Sequence, residues 1–137
     1  MKIRLVLMSH GNMAYETLQS AKMIVGEITD IDVVSMRMAD GLEETLNNLQ
    51  TILKKLGDVP TIIMVDLLGG TPCNVANMLA GHKPHVRIIS GLTLAMVLEY
   101  AMSQETKIDI LTDYLVTVGK NAVQKIIVKE DICDMDE

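Results

Sequence analysis

Strand-sized apolar runs alternate along this chain with segments of helical periodicity. Short runs rich in β-branched residues are typical of strands covered on both faces, and apolar residues three and four positions apart indicate helices that bury one face. The predicted strands cover residues 2–8, 31–36, 61–65 and 85–89. The predicted helices cover residues 12–25, 42–56 and 71–79, a segment that ends near 102, and 108–118. The apolar stretch at 122–128 is a candidate final strand.

Residues at two of the predicted helix starts match known capping preferences. Asp40 is followed three positions later by Glu43, as in a capping box. Thr71 is followed by Pro72, which suits the N-cap and the first position of a helix. We therefore expect the second helix to be capped by Asp40 and the third by Thr71.

The order of the elements predicts an α/β fold. Alternating strands and helices form a doubly wound, mainly parallel sheet with helices on both faces and right-handed crossovers. In such sheets, ligands bind beyond the carboxyl ends of the strands, at the point where the strand order reverses. We expect one domain over residues 1–128 and an acidic, mobile tail over residues 129–137.

The composition narrows the classes of function. The chain has 137 residues, a formal net charge of -6 and 2% aromatic residues. Such a domain lacks the basic face and the base-stacking side chains of nucleic-acid binders. No apolar run approaches the roughly 20 residues of a membrane span, and neither a signal-peptide core nor a disulfide framework is recognisable. We therefore expect a soluble cytoplasmic protein that does not bind nucleic acid.

Two loops that follow strands carry the residues best suited to chemistry. His10 follows the first predicted strand, and Asp66 follows the third. If these strands are neighbours where the strand order reverses, the two side chains meet at the same edge of the sheet. A carboxylate that accepts one imidazole N–H fixes the tautomer and leaves the other ring nitrogen as a nucleophile. The pair therefore predicts a nucleophilic histidine.

The second loop also predicts an anion site. Gly69 and Gly70 leave backbone N–H groups unobstructed, and Thr71 adds a hydroxyl at a helix N-terminus, where the helix dipole favours negative charge. Neither loop contains Lys or Arg, no Walker-type loop is present, and the acids suited to magnesium reduce to Asp66. We therefore expect a phosphoryl group on His10, with no metal ion and no cofactor.

Other reactive side chains have simpler explanations. His82 and His85 lie in a predicted helix-to-strand loop at the opposite end of the sheet, where solvated histidines are common. Cys73 is best explained as an inert small residue within a helix, and Ser9 as a polar residue of a loop. None of these four residues is expected to carry the chemistry.

The loop residues resemble a known family. The segment Ser9-His10-Gly11 between a strand and a helix, together with residues 65–74 and 90–96, is similar to the enzyme IIA component of the mannose family. This family belongs to the bacterial phosphoenolpyruvate-dependent sugar phosphotransferase system (PTS). The similarity extends over nearly the whole chain, to about Val128.

The resemblance implies that the chain is a phosphocarrier. His10 would accept a phosphoryl group on Nε2 from the phosphohistidine of HPr, with Asp66 bonded to Nδ1. It would pass this group to enzyme IIB, a separate polypeptide, which phosphorylates the sugar that enters through the membrane components IIC and IID. Thr71 occupies a hydroxyl position that is Ser in other members. The resemblance also implies a homodimer in which an antiparallel last strand, here 122–128, can exchange between subunits.

Three alternative roles remain open from the sequence. The phosphotransfer subunit of dihydroxyacetone kinase has a similar domain but differs in the loop over residues 69–74. Similar domains inside transcriptional regulators use histidine phosphorylation as a regulatory signal. A receiver-like binding module carries acids after its first strand and is phosphorylated on the residue equivalent to Asp66, whereas this chain has Ser9 and His10 after the first strand.

Overall fold

The computed structural model of this chain describes residues 2–128, and that part contains alternating strands and helices. The strands are β1 (Arg4–His10), β2 (Ile31–Met36), β3 (Thr61–Val65) and β4 (Val86–Ser90). The helices are α1 (Met13–Val25), α2 (Leu42–Leu56), α3 (Gly70–Ala80), α4 (Leu94–Met102) and α5 (Ile108–Ala122). The predicted tail over residues 129–137, which includes Cys133, lies outside the described residues.

The four strands form one parallel sheet in the order β2-β1-β3-β4. From β1 the chain crosses to β2 on one side and then returns to β3 on the other side. The strand order therefore reverses between β1 and β3, and their carboxyl ends lie side by side. The predicted α/β fold with a parallel sheet is confirmed, and this reversal point is where such sheets bind ligands.

Each face of the sheet is covered by its own aliphatic core. Leu5 and Leu7 of β1 pack on the side of α1, α4 and α5. Val6 and Met8, which alternate with Leu5 and Leu7 along the strand, pack on the side of α2 and α3. Because successive strand residues point to opposite faces, both sets are buried and β1 is apolar nearly throughout. The two covered faces leave the ends of the strands as the accessible part of the sheet.

Two predicted helix caps are wrong. Gly41 occupies the N-cap of α2, and the Asp40 carboxylate instead accepts the backbone N–H of Arg37 at 2.9 Å. Gly69 occupies the N-cap of α3, so Thr71 lies within the first turn of that helix and does not precede it. In both cases a glycine occupies the capping position: the predicted residue lies one position before it at α2 and two positions after it at α3.

The predicted final strand at 122–128 is not formed by the single chain. Helix α5 continues through Ala122, and residues 123–128 have no regular secondary structure in the described part of the chain. A strand needs a neighbour to pair with, and this segment pairs with none of the strands among residues 2–128. Its apolar side chains remain largely exposed: Val123, Ile126, Ile127 and Val128. Exchange of this strand between subunits stays a prediction.

Candidate active site

Strands β1 and β3 bring His10 and Asp66 into direct contact. His10 is the last residue of β1, and Asp66 follows β3 directly. The Nδ1 atom of His10 lies 2.8 Å from Oδ2 of Asp66. The same carboxylate oxygen accepts the backbone N–H of His10 at 2.9 Å. The structure thus places the two residues together at the edge where the sequence predicts their meeting.

This contact selects the tautomer of His10. An ionised carboxylate can only accept hydrogen bonds, so Nδ1 must carry the hydrogen and Nε2 keeps its lone pair. The His10 side chain is 46% exposed, whereas the Asp66 side chain is 9% exposed. A half-exposed ring is therefore held through Nδ1 by a largely buried carboxylate.

The hydrogen bonds of Asp66 tie it to β1 and to His10. Its backbone N–H donates to the carbonyl oxygen of Met8 at 3.0 Å, which ties the residue to β1. Its second carboxylate oxygen, Oδ1, is buried and has no hydrogen-bond partner among the described residues. Both of the hydrogen bonds found for this carboxylate among the described residues therefore come from His10, and both go to Oδ2.

Gly70 lies against the imidazole ring of His10. A Cβ atom at position 70 would stand 3.1 Å from Cε1 and 3.5 Å from Nε2 of His10. The backbone φ of Gly70 is also positive, at 80°, as is that of Gly69, at 83°. A Cβ at position 69, by contrast, would meet nothing within 4 Å. The turn conformation therefore favours glycine at both positions, but the close approach to His10 requires it only at Gly70.

The N-terminus of α3 lies beside the imidazole ring of His10. Gly70 is the first residue of this helix and lies beside Nε2, and the half-buried Thr71 follows in the first turn. The first backbone N–H groups of a helix have no partner within the helix, and they favour an anion. Negative charge placed on Nε2 therefore lies where the backbone of α3 can stabilise it.

Ser9 has a structural role that the sequence analysis missed. Its buried hydroxyl accepts the backbone N–H of Ala14 at 2.8 Å and donates to the carbonyl oxygen of Gly11 at 3.1 Å. Asn12, at the N-cap of α1, makes no side-chain capping bond. Ser9 therefore satisfies an N–H group in the first turn of α1 and fixes the loop that follows His10. Its position five residues before Ala14 lies outside the usual capping spacing.

Two of the other reactive residues lie away from this edge. His82 and His85 are in the loop between α3 and β4, at the amino ends of the strands. Cys73 lies near the start of α3, close to this edge, and its partly buried side chain packs against the core on the side of α2 and α3. Among residues 2–128, no group of three or more His, Cys, Asp or Glu side chains is arranged to hold a metal ion. Within the same part of the chain, no helix is long and apolar enough to cross a membrane.

The fold and this edge define an α/β domain suited to carrying a phosphoryl group on a histidine. The model of the EIIA-man family, described as the PTS system fructose IIA component, matches residues 4–114. The chain therefore belongs to this family of phosphotransferase-system IIA components.

Individual relatives agree with this assignment. The sorbose-specific EIIA component of Klebsiella pneumoniae is 32% identical over 104 residues, which is 76% of each chain. The mannose-specific EIIAB component of Escherichia coli K12 is 26% identical over 129 residues; the match covers 92% of this chain but 40% of that longer protein. The solved mannose/sorbose-specific IIA subunit from Enterococcus faecalis is 51% identical, with a TM-score of 0.90, covering 95% of this chain and 98% of that one.

These similarities support a phosphotransferase that acts as a phosphocarrier in sugar uptake. They do not favour the receiver-like module, the regulatory domain or the dihydroxyacetone kinase subunit. The predicted family is confirmed.

Proposed function

We propose that His10 accepts a phosphoryl group on Nε2 from the phosphohistidine of HPr and passes it to enzyme IIB. The observation that carries this proposal is the contact between His10 Nδ1 and Asp66 Oδ2. It leaves Nε2 with a lone pair, on a side chain that is 46% exposed and that lies beside Gly70, the first residue of α3. Nucleophile, orienting carboxylate and anion site thus occupy one edge of the sheet.

The transfer step follows from these positions. The lone pair of His10 Nε2 attacks the phosphorus atom, and the new N–P bond forms as the P–N bond to the donor histidine breaks. The donor imidazole leaves with the electron pair of that bond. His10 still carries the hydrogen on Nδ1, so its ring becomes cationic, and the adjacent Asp66 carboxylate offsets that charge. The same displacement, with enzyme IIB supplying the nucleophile, then unloads His10.

The backbone and one hydroxyl hold the phosphoryl group. Its oxygens accept hydrogen bonds from the N–H groups around Gly69 and Gly70 and from the hydroxyl of Thr71. Phosphoryl transfer depends mainly on positioning and charge stabilisation, so these neutral donors are sufficient without a metal ion or a cofactor.

The same proposal covers the assembly of the protein. We expect a cytoplasmic homodimer that acts with HPr and IIB, and through IIB with the membrane components IIC and IID. The outer edge of β4 has no neighbouring strand in the described part of the chain. Beside it lies an open groove of about 510 Å³ between β4, α4 and α5, lined by residues such as Ile88, Met96 and Val116. Residues 123–128 of a second copy fit this groove as an antiparallel strand.

Sugar specificity is expected to lie outside this domain. The similar proteins carry names that refer to sorbose, mannose and fructose. In the proposed reaction the group that reaches His10 is a phosphoryl group and never the sugar itself. The IIA fold can therefore stay the same while the transported sugar changes.

The proposal is tested by phosphorylation with phosphoenolpyruvate, enzyme I and HPr. A phosphohistidine that forms in the wild-type chain and is absent from the His10→Ala variant supports it. Label that is retained by His10→Ala excludes it.

A further inference from the structure

Asp40 fixes the exposed side chain of Arg37 in place. The Asp40 side chain is 5% exposed, whereas that of Arg37 is 76% exposed. Oδ2 of Asp40 accepts the backbone N–H and the Nε–H of Arg37 at 2.9 and 3.4 Å, and Oδ1 accepts from Nη2 at 3.3 Å. These hydrogen bonds lower the pKa of Asp40 and raise that of Arg37. The exposed guanidinium of Arg37 is therefore paired with a largely buried carboxylate, which restricts its orientation.

Arg37 stands beside the reactive edge of the sheet. It follows Met36, the last residue of β2, which is the register partner of His10. The backbone N–H of Gly11 donates to the carbonyl oxygen of Met36 at 2.7 Å, so the loops after β1 and β2 are joined. In the loops that follow the four strands, Arg37 is the one Lys or Arg residue. The one Lys or Arg residue of these four loops therefore lies at the edge where we propose phosphoryl transfer.

The geometry separates Arg37 from the phosphoryl group itself. The Nε2 atom of His10 lies next to Gly70, which follows β3. Arg37 follows β2, on the opposite side of β1 in the sheet. The guanidinium has five N–H donors, and Asp40 uses two of them, so three remain for another anion. That anion is expected on a molecule docked over the edge, and not on His10.

The surface around Arg37 suits a protein partner. Exposed apolar side chains lie in the loops and helix start on this edge: Met13, Met38, Leu67 and Leu68. Exposed apolar groups of this kind, together with an arginine, are typical of protein interfaces. A guanidinium held in a fixed orientation pairs best with a carboxylate, which can accept two parallel hydrogen bonds.

We propose that Arg37, held by Asp40, binds a carboxylate on the surface of the phosphoryl-donor protein that docks at His10. The inference rests on the proposed function, in which that donor is phosphorylated HPr. Arg37 acts in docking and does not touch the reacting groups. Its removal therefore weakens association and leaves the chemical step unchanged.

The test compares two arginines that are each held by an aspartate. Arg87 of β4 donates to Asp109 at 2.7 Å and is the register partner of Ile62, away from the carboxyl edge. In the full-length chain, Arg37→Gln is expected to raise the KM for phosphorylated HPr about five- to tenfold with kcat unchanged. The Kd for unphosphorylated HPr, from titration calorimetry, should rise by a similar factor, and its dependence on salt should weaken. Arg87→Gln removes the same charge and should change none of these values.

Two results overturn the inference. The first is a KM and a Kd for Arg37→Gln that equal those of Arg87→Gln. The second is a lower kcat for Arg37→Gln with an unchanged KM, which would assign Arg37 to the reacting group. The Kd of the unphosphorylated proteins does not depend on transfer, so failure of this inference is distinguishable from failure of the proposed function, which shows as a wild-type chain without phosphohistidine.

Discussion

Oδ2 of Asp66 accepts two hydrogen bonds from His10, one from the ring nitrogen Nδ1 and one from the backbone N–H. A single carboxylate oxygen therefore fixes both where the backbone of His10 ends its strand and how its ring is turned. The relationship joins β1 to β3 at the point where the strand order reverses. It makes the proposed phosphorylation site a direct consequence of the sheet topology.

Replacement of Asp66 should slow phosphoryl transfer strongly. In Asp66→Ala, Nδ1 loses its acceptor, the wrong tautomer becomes accessible, and no carboxylate offsets the ring charge. We expect the transfer rate from HPr to fall by on the order of 10²-fold. Rapid-quench measurements give the rate, and circular dichroism should show an intact fold. Equal rates for Asp66→Ala and for the control Asp109→Asn would contradict the orienting role.

Gly69 and Gly70 provide a matched pair of substitutions. Both have positive φ angles, so alanine at either position adds strain of about 1–3 kcal/mol to the folded loop. Only at position 70 does the added Cβ press on the ring of His10. We expect similar losses in thermal stability for the two variants but a much larger loss of transfer rate for Gly70→Ala. Equal losses of transfer rate in Gly69→Ala and Gly70→Ala would contradict the claim that the close contact between Gly70 and His10 matters for transfer.

The buried hydroxyl of Ser9 should contribute to both stability and activity. In Ser9→Ala, the N–H of Ala14 loses its partner, at a cost of about 1–3 kcal/mol, and the loop after His10 is no longer tied to α1. Thr61→Val is the control, because Thr61 is also buried and its hydroxyl donates to the carbonyl oxygen of Val59 at 2.7 Å, at the other end of the sheet. Denaturant unfolding and transfer assays should show that both variants lose stability and that only Ser9→Ala loses transfer rate. A transfer rate in Ser9→Ala equal to that of the wild type would show that the Ser9 hydroxyl does not contribute to activity.

The segment 123–128 should be required for the dimer. Removal of residues 123–137 deletes the proposed exchanged strand and leaves α5 complete. We expect the shortened chain to sediment as a monomer at concentrations where the full chain is dimeric. Removal of residues 129–137 alone is the control and should leave the dimer intact. A sedimentation profile that is the same for all three chains rules out strand exchange as the basis of association.

Much of the fold follows from periodicity in the sequence. The strands β2 and β3 lie where the sequence predicts them. β3 is buried at every position, and a strand covered on both faces leaves a nearly unbroken apolar signal. The meeting of His10 and Asp66 could also be predicted, since alternating elements imply a reversal point and both residues follow strands beside it.

The structure differs from the sequence-based predictions where hydrogen-bond partners are not determined by the pattern of apolar residues. The Asp40 carboxylate could cap α2 or bind Arg37, and its spacing from Glu43 does not decide between them. The strand predicted at 122–128 pairs with no strand among residues 2–128, and its proposed neighbour belongs to a second copy. The bond from Ser9 to Ala14 depends on the tight turn between β1 and α1, which a pattern of apolar positions does not encode.

The most direct test of the central claim is to locate the phosphoryl group after incubation with phosphoenolpyruvate, enzyme I and HPr. The chain has three histidines, and each can be replaced in turn by alanine: His10→Ala, His82→Ala and His85→Ala. We predict one acid-labile, alkali-stable phosphoryl group per chain, on Nε2 of His10 by ³¹P and ¹⁵N spectroscopy, which is lost only in His10→Ala. Label that persists in His10→Ala, or that is found on Asp66, would contradict the account.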